Sequence, residues 1–402
     1  MLSQKNSSIS RHPGPDSAEK PGGIYVHIPF CHTKCPYCSF ASYPEADPLV
    51  MKNYMQAIRN QAKKMAQHPW SRDREFHSLY IGGGTPTIVA PEQLAVFIEE
   101  CLTEFRFVEA DGRPPEVSIE TNPNALDKNI LARLRQAGVD RLSIGVQSFS
   151  DPMLHVLGRS HSSQEAIRAV EYARSAGFQN LNLDLMYGLP GQTVDSWQQT
   201  LEKAIELSPE HLSVYELTVE DTTPFGSLAK QGKLHLPDDD NVLLMFRLTQ
   251  ELLSRSGYSQ YEISNYGRPG LQCRHNINYW QNGSYLGLGA GAVSCFSGVR
   301  IKAVQKPIEF AGLINKGTYP YSEGEALPLR ARFRETVIMG LRMTEGISCR
   351  KIYDWFGLTP HEYYGNAIMD FIEQGLLVED GDRLRLTERG LPLANQVLMH
   401  LV

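Results

Sequence analysis

Three thiols fall close together in the stretch YVHIPFCHTKCPYCSF, at Cys31, Cys35 and Cys38. Thiolates are soft metal ligands, so C-x3-C-x2-C in a chain without a disulfide framework points to a metal centre. A closed structural zinc site wants four ligands, commonly pairs of C-x2-C or one C-x2-C with distant histidines. Here the run stops at three, and Phe40 stands where a fourth cysteine would have extended it. His27 and His32 are near in sequence, but His32 lies inside the cysteine loop and would compete with the thiols for direction. Three thiolates around a four-iron cluster leave one iron open to an exogenous molecule. An open position is what a reactive metal centre needs, so the spacing favours a [4Fe-4S] cluster over zinc. Cys101, Cys273, Cys295 and Cys349 are scattered, which fits a reducing compartment.

Other polar groups collect at the ends of β-rich runs. GGGTPT (82–87) closes one run. Its glycines permit positive φ and close backbone approach to a ligand, and no G-K-[ST] follows to make a phosphate loop. Glu120, Asn122, Gln147, Asp184 and Glu216 lie near the C-terminal ends of their runs. That end carries the site in barrels and open α/β sheets alike. GLGAGA (287–292) formally fits a dinucleotide fingerprint, but VSCFSGVR after it carries no helical stripe. Nicotinamide binding is therefore not expected.

The elements that must position these groups alternate along the chain. IYVHIPF (24–30), SLYIGGG (78–84), EVSIETN (116–122), RLSIGVQS (141–148), NLNLDLMYG (180–188) and HLSVYELT (211–218) read as strands. Helical patterns cover 48–67, 91–104, 124–137, 163–176 and 194–206, with Asn124 as a cap and Gly138 as a stop for the third. Six β-α units in series require a parallel sheet, wound open or curled into a full or partial barrel. After about residue 235 the rhythm breaks into a helix near 238–256 and a Gly-, Tyr- and Asn-rich stretch at 257–298. From roughly 320 the chain is helix-rich and ends helix, short strand, turn at Asp380-Gly381, strand, helix, a winged-helix-like pattern. It reads as an appendage packed on the main domain, not as a nucleic-acid reader. The net charge of -6 likewise argues against a nucleic-acid-coating surface. No apolar run reaches the ~18 residues of a transmembrane segment. The first 21 residues lack the apolar core of a secretory signal and are expected to be a disordered tail.

C-x3-C-x2-C with an aromatic residue, Tyr37, before its last cysteine resembles the radical S-adenosylmethionine (SAM) superfamily. That resemblance implies an α/β fold, a partial (βα)6 barrel over 22–305 with its extension, followed by a C-terminal helix-rich, winged-helix-like domain over 306–402. It implies a [4Fe-4S] cluster on Cys31, Cys35 and Cys38, whose unique iron is chelated by SAM's amino and carboxylate groups. An electron from the reduced cluster then cleaves SAM's C5′–S bond to a 5′-deoxyadenosyl radical. Gly83, Gly84 and Thr85 match positions at SAM's amino group. Glu120, Gln147, Arg159 and Asp184 match positions at its amino, ribose and carboxylate parts, and Tyr25 and Thr218 match as well. The residue types suit those tasks, since Arg159 can grip a carboxylate with two bonds and Gln147 and Asp184 can serve hydroxyls.

YVHIPFC, GGGTPT, GVQSF and NLDLMYGLPGQT resemble the HemN/HemW subfamily, from about residue 22 to the C-terminus. Its coproporphyrinogen III dehydrogenase branch carries a further cysteine at the position of Phe40. HNINYW (275–280) instead matches the H-N-x-x-Y-W motif of the haem-chaperone branch, HemW. The resemblance thus implies haem as cargo and acceptor haemoproteins, including respiratory membrane enzymes, with a cytoplasmic location and peripheral membrane contact. No amphipathic basic anchor stands out. His275 would be the haem ligand, Cys273 a second candidate, and Tyr279 and Trp280 flat surface against the macrocycle. The ordinary alternative has His275 and Asn276 bonding backbone in a tight loop while Tyr279 and Trp280 fill core. A cluster-dependent dimer is compatible with the sequence. The competing function is oxygen-independent coproporphyrinogen III dehydrogenase, which removes propionate carboxyls with the 5′-deoxyadenosyl radical. A haem-degrading radical SAM methyltransferase is a more distant third.

Overall fold

A computed structural model describes residues 20–44 and 46–402, so nearly all of the expected N-terminal tail lies outside the described residues. Six parallel strands form the body: β1 (Gly22–Ile28), β2 (Glu75–Gly83), β3 (Glu116–Thr121), β4 (Arg141–Gln147), β5 (Asn180–Tyr187) and β6 (His211–Glu216). Each is hydrogen-bonded to the next in chain order. Helices Pro48–Ala66, Pro91–Glu104, Lys128–Gln136, Ser163–Ser175, Val194–Glu206 and Asp239–Arg255 return the chain between and after them.

Alternation along the strands separates two faces. Leu79, Ile119, Leu142, Ile144, Leu181, Leu183 and Leu212 are fully buried in the main apolar core. Their neighbours in sequence, among them Tyr80, Glu120, Ser143, Asn182 and Ser213, bond one another across the other face. A parallel sheet covered on both sides usually reads as near-continuous apolar runs. The polar face here is one the fold keeps for something other than core packing.

The sheet does not close. Beyond β6 it continues into the antiparallel strand Asn265–Gly267, and beyond β1 into the parallel strand Tyr285–Leu288. The result is a partial barrel. On the β1 side the same sheet runs on through Val293–Phe296, Val299–Ala303 and Tyr321–Ala326. The GLGAGA segment belongs to this extension: a strand follows it, not a helix. A Cβ on Gly287 would stand 2.2 Å from the Val293 carbonyl oxygen, so close strand approach explains that glycine.

One helix start differs from the sequence reading. Pro123–Ala125 forms a 3-10 turn, and the α-helix begins only at Lys128, capped by Asp127 accepting from the Ile130 N–H. Asn124 donates instead to the Ser160 hydroxyl at 2.8 Å. The C-terminal part, from helix Leu329–Leu341, adds Cys349–Phe356, Pro360–Tyr364 and Asn366–Glu373. Its three-stranded antiparallel sheet, ordered Ile347–Ser348, Arg383–Leu386, Leu377–Asp380, completes a winged-helix-like unit. No helix among the described residues is long and apolar enough to cross a membrane.

Candidate metal centre and barrel lumen

The cysteine loop leaves the C-terminal end of β1 and is pinned to the end of β2. Gly84 N–H donates to the Ile28 carbonyl at 2.9 Å, and Thr85 N–H to the Phe30 carbonyl at 2.7 Å. These contacts demand the glycines. Gly83 sits at φ +116°, where a Cβ would come within 2.5 Å of the His27 ring, and a Cβ on Gly84 would meet the Phe30 carbonyl oxygen at 2.4 Å. Gly83 N–H is taken as well, by Glu120 Oε2 at 3.0 Å. With all three N–H groups committed, this turn can offer a ligand only carbonyl oxygen, the acceptor that an amino group requires.

Cys31, Cys35 and Cys38 are all half-buried and free. Among the described residues, Cys349, His361 and Glu379 form a trio of ligand atoms within 4.8 Å of one another, whereas the three loop cysteines do not. Thiolates on one tetrahedral zinc lie roughly 3.8 Å apart, given Zn–S bonds of ~2.3 Å. Three thiols on one loop, one short of a closed tetrahedral set, suit a multi-iron group that keeps one metal position open. His27 is not available as a ligand: its Nδ1 bonds the Tyr25 hydroxyl at 2.9 Å and its Nε2 the Ala41 carbonyl at 3.1 Å.

A polar chain links two of the thiols. Thr85 Oγ1 donates to Cys31 Sγ at 3.8 Å, and Asn122 Nδ2 donates to Thr85 Oγ1 at 2.7 Å. Arg159 Nη2 donates to Asn122 Oδ1 and to the Gly145 carbonyl, and Arg159 Nη1 reaches Cys35 Sγ at 3.7 Å. Hydroxyl and guanidinium donors on sulfur stabilise thiolate and, with it, metal–sulfur bonding. Asn122, noted in the sequence only as a strand-end polar residue, is thus the joint between Thr85 and Arg159. Tyr37 packs beside Cys35 and Arg159, near Phe225. Burial raises the thiols of Cys31 and Cys38 above their ordinary pKa. The donor set and its partial exposure fit a [4Fe-4S] cluster.

Behind the loop lies the polar lumen. Gln147 ends β4 at φ +69°, a left-handed conformation unusual for a residue other than glycine. Gly145 beside it leaves room: a Cβ there would lie 3.1 Å from Gln147 Nε2 and 3.3 Å from Arg159 Nη2. Glu120 accepts from Tyr80 OH at 2.8 Å, and burial, reinforced by Asp184, pushes its carboxyl up to about 7. Asp184 accepts from Asn182 at 2.7 Å and is raised by the same desolvation. Tyr25 stacks near Tyr80, centroids 6.3 Å apart. Thr218 is exposed two residues beyond β6. Loop, triple glycine, Glu120, Gln147, Arg159 and Asp184 therefore share one end and one face of the sheet.

The H-N-x-x-Y-W segment is elsewhere and is neither a loop nor exposed. It forms the helix Arg274–Trp280, whose first N–H groups are capped by Glu116: Arg274 N to Oε2 at 2.9 Å and His275 N to Oε1 at 3.3 Å. His275 is 1% exposed, stacked 5.0 Å from Tyr80 with its Nδ1 on Ser78 Oγ at 2.9 Å. Burial, with His77 and Arg141 nearby, lowers its pKa to about 3, so the ring is neutral. Cys273 is buried with its thiol pushed up to about 12, against Glu116. Tyr279 stacks edge-on to His275 at 5.0 Å, while Trp280 faces the C-terminal domain. The four residues expected to meet haem are thus not gathered on one surface.

A partly open barrel with a polar lumen and a three-thiol loop at the C-terminal ends of its strands defines a radical SAM protein. The Radical SAM superfamily model matches residues 25–204, and the HemN C-terminal domain model matches 327–393. Curated relatives named "Heme chaperone HemW" include one from Escherichia coli, 36% identical over 94% of this chain and 97% of its own length. Another, from Bacillus subtilis, is 34% identical over 93% and 97%. The solved structure of coproporphyrinogen III oxidase (HemN) from Escherichia coli superposes with a TM-score of 0.81 at 26% identity, covering 98% of this chain and 91% of that one. The chain belongs to the HemW family of the radical SAM superfamily.

Proposed function

We propose that this protein binds haem and hands it to acceptor haemoproteins, using a body that also holds a [4Fe-4S] cluster and SAM. The near-full-length likeness to curated haem chaperones carries the reading, at 36% identity against 26% for the porphyrinogen oxidase structure. Phe40, two-thirds exposed on the cysteine loop, supports it, since the dehydrogenase pattern has a cysteine there.

In this reading Cys31, Cys35 and Cys38 ligate the cluster, with Thr85 and Arg159 donating to sulfur. When bound, cluster and SAM supply one-electron cleavage of a carbon–sulfur bond. Glu120 and the carbonyls of the Gly83–Gly84 turn receive SAM's ammonium, and Arg159 faces its carboxylate. Gln147 and Asp184 serve the ribose hydroxyls, while Tyr25, Tyr37 and Thr218 line the edges. Cytoplasmic action with peripheral membrane contact, delivery to respiratory enzymes and a cluster-dependent dimer belong to the same reading.

Anaerobic reconstitution, then haem titration and a coproporphyrinogen III assay on one sample, tests it. Stoichiometric haem binding without decarboxylated product is expected. Product above background with SAM consumed would return the chain to the dehydrogenase reading, which its fold and its lumen also suit.

A further inference from the structure

The described residues line a partly open cavity of about 400 Å³ between the N-terminal ends of the barrel strands and the C-terminal domain. No residue of the cysteine loop lines it. Its volume lies within the range of small-molecule sites, ~300–1,000 Å³.

Three features of its wall point to a ligand. The first is charge: Lys20, Arg113, Arg274, Lys351 and Arg383 face two carboxylates, Asp111 and Glu345, on a chain whose net charge is -6. The lysines are the most telling. Neither Lys20 nor Lys351 has a carboxylate partner among the described residues, and Lys20 is held below its ordinary pKa by burial and by Lys351. Two unneutralised ammonium groups side by side make an anion subsite. The second feature is aromatic surface. Trp280 and Trp355 both line the cavity, each with a cation over its ring, Arg342 at 4.6 Å and Lys20 at 4.7 Å. The third is unmet hydrogen bonding. Trp280 Nε1, Arg274 Nη1 and His77 Nδ1 are buried atoms without a partner. Such groups call for a partner from outside the chain, a water, an ion or a ligand.

The helix Arg274–Trp280 gives this placement its logic. It turns His275 into the barrel floor and presents Arg274, Ile277 and Trp280 to the cavity. His275 itself lies sealed beneath Tyr80 and out of reach of a macrocycle.

We propose that this cavity is the binding site of the tetrapyrrole cargo, a flat apolar ring packed against Trp280 and Trp355 with its carboxylates on Lys20 and Lys351. The inference rests on the haem-binding reading and locates it, with His77 as the imidazole on the cavity wall in place of His275.

The test titrates cluster-loaded, full-length protein anaerobically with haem, protoporphyrin IX and protoporphyrin IX dimethyl ester, following tryptophan fluorescence. Haem and the free diacid should quench, and the dimethyl ester should bind at least tenfold more weakly. Lys20→Glu/Lys351→Glu, at two exposed side chains, should raise Kd for both diacids at least tenfold with cluster absorbance unchanged. Lys20→Arg/Lys351→Arg should bind as the wild type does. If the wild type binds haem and the Glu variant binds it equally well, the placement is overturned and the haem reading stands. If the wild type binds no tetrapyrrole, both fall.

Discussion

At the scale of single residues, Glu120 sets a pH dependence. Its carboxyl is raised to about 7, above the ordinary carboxylate range, because burial and Asp184 disfavour the charged form. Ionising it in the folded chain therefore costs free energy. Its stabilising contribution to the ligand-free protein is fullest below the unfolded value and is lost as pH rises through 7. In the proposed function ligand binding runs the other way, since there the Glu120 carboxylate receives SAM's ammonium. Below pH 7 the apparent Kd for SAM should rise by up to about tenfold per unit, and Glu120→Gln should bind weakly with the slope gone. Isothermal titration between pH 6 and 8 reads both. Arg159 makes a second residue-scale prediction. Its N–H reaches Cys35 Sγ, so in a cluster held as proposed its cation would favour the more negative, reduced state. Arg159→Met should lower the midpoint potential by tens of millivolts, read by redox titration with electron paramagnetic resonance.

At the scale of elements, the joint between β1 and β2 is the sensitive point. Gly84→Ala places a Cβ against the Phe30 carbonyl, a backbone atom that cannot step aside. It should cost about 1–3 kcal/mol as an overpacking change and reduce iron per chain after reconstitution while the circular dichroism stays native. Glu116 is the matching element at the other end of the barrel. It satisfies the first N–H groups of the helix Arg274–Trp280, so Glu116→Ala should destabilise by about 1–3 kcal/mol in urea unfolding. Strands and crossover helices were legible from the sequence because apolar periodicity is local, and Val194–Glu206 begins and ends where that pattern does. The start of Lys128–Gln136 was not, because Asn124 and Asp127 are both good caps. Pro123 tightens the chain into a 3-10 turn first, and Asn124 finds Ser160, a partner distant in sequence. HNINYW carries no helical stripe of its own; its cap comes from Glu116, more than a hundred residues earlier.

At the scale of the whole molecule, the cysteine loop and the cavity proposed for the cargo lie at opposite ends of one sheet. The cysteine loop follows the C-terminal end of β1, and the cavity opens beside residues just before β1 and at the start of β2. A seven-residue strand spans roughly 23 Å at ~3.3 Å per residue. Cargo and cluster should then bind independently. Cys31→Ser/Cys35→Ser/Cys38→Ser should lose iron yet keep haem affinity within a few fold. The three-cysteine loop was readable from spacing because its members are neighbours in sequence, and the flanking motifs pointed it to a cluster. Asn122's bridging role and the cavity were not, because they arise from residues brought together by the barrel and the C-terminal domain. The most direct measurement is haem transfer: protein loaded with one equivalent of haem is mixed anaerobically with an apo-haemoprotein and the Soret band is followed. Transfer to the acceptor, with coproporphyrinogen III left unchanged by the same sample and SAM, is expected. Retention of the haem, or turnover of the porphyrinogen, would contradict a chaperone.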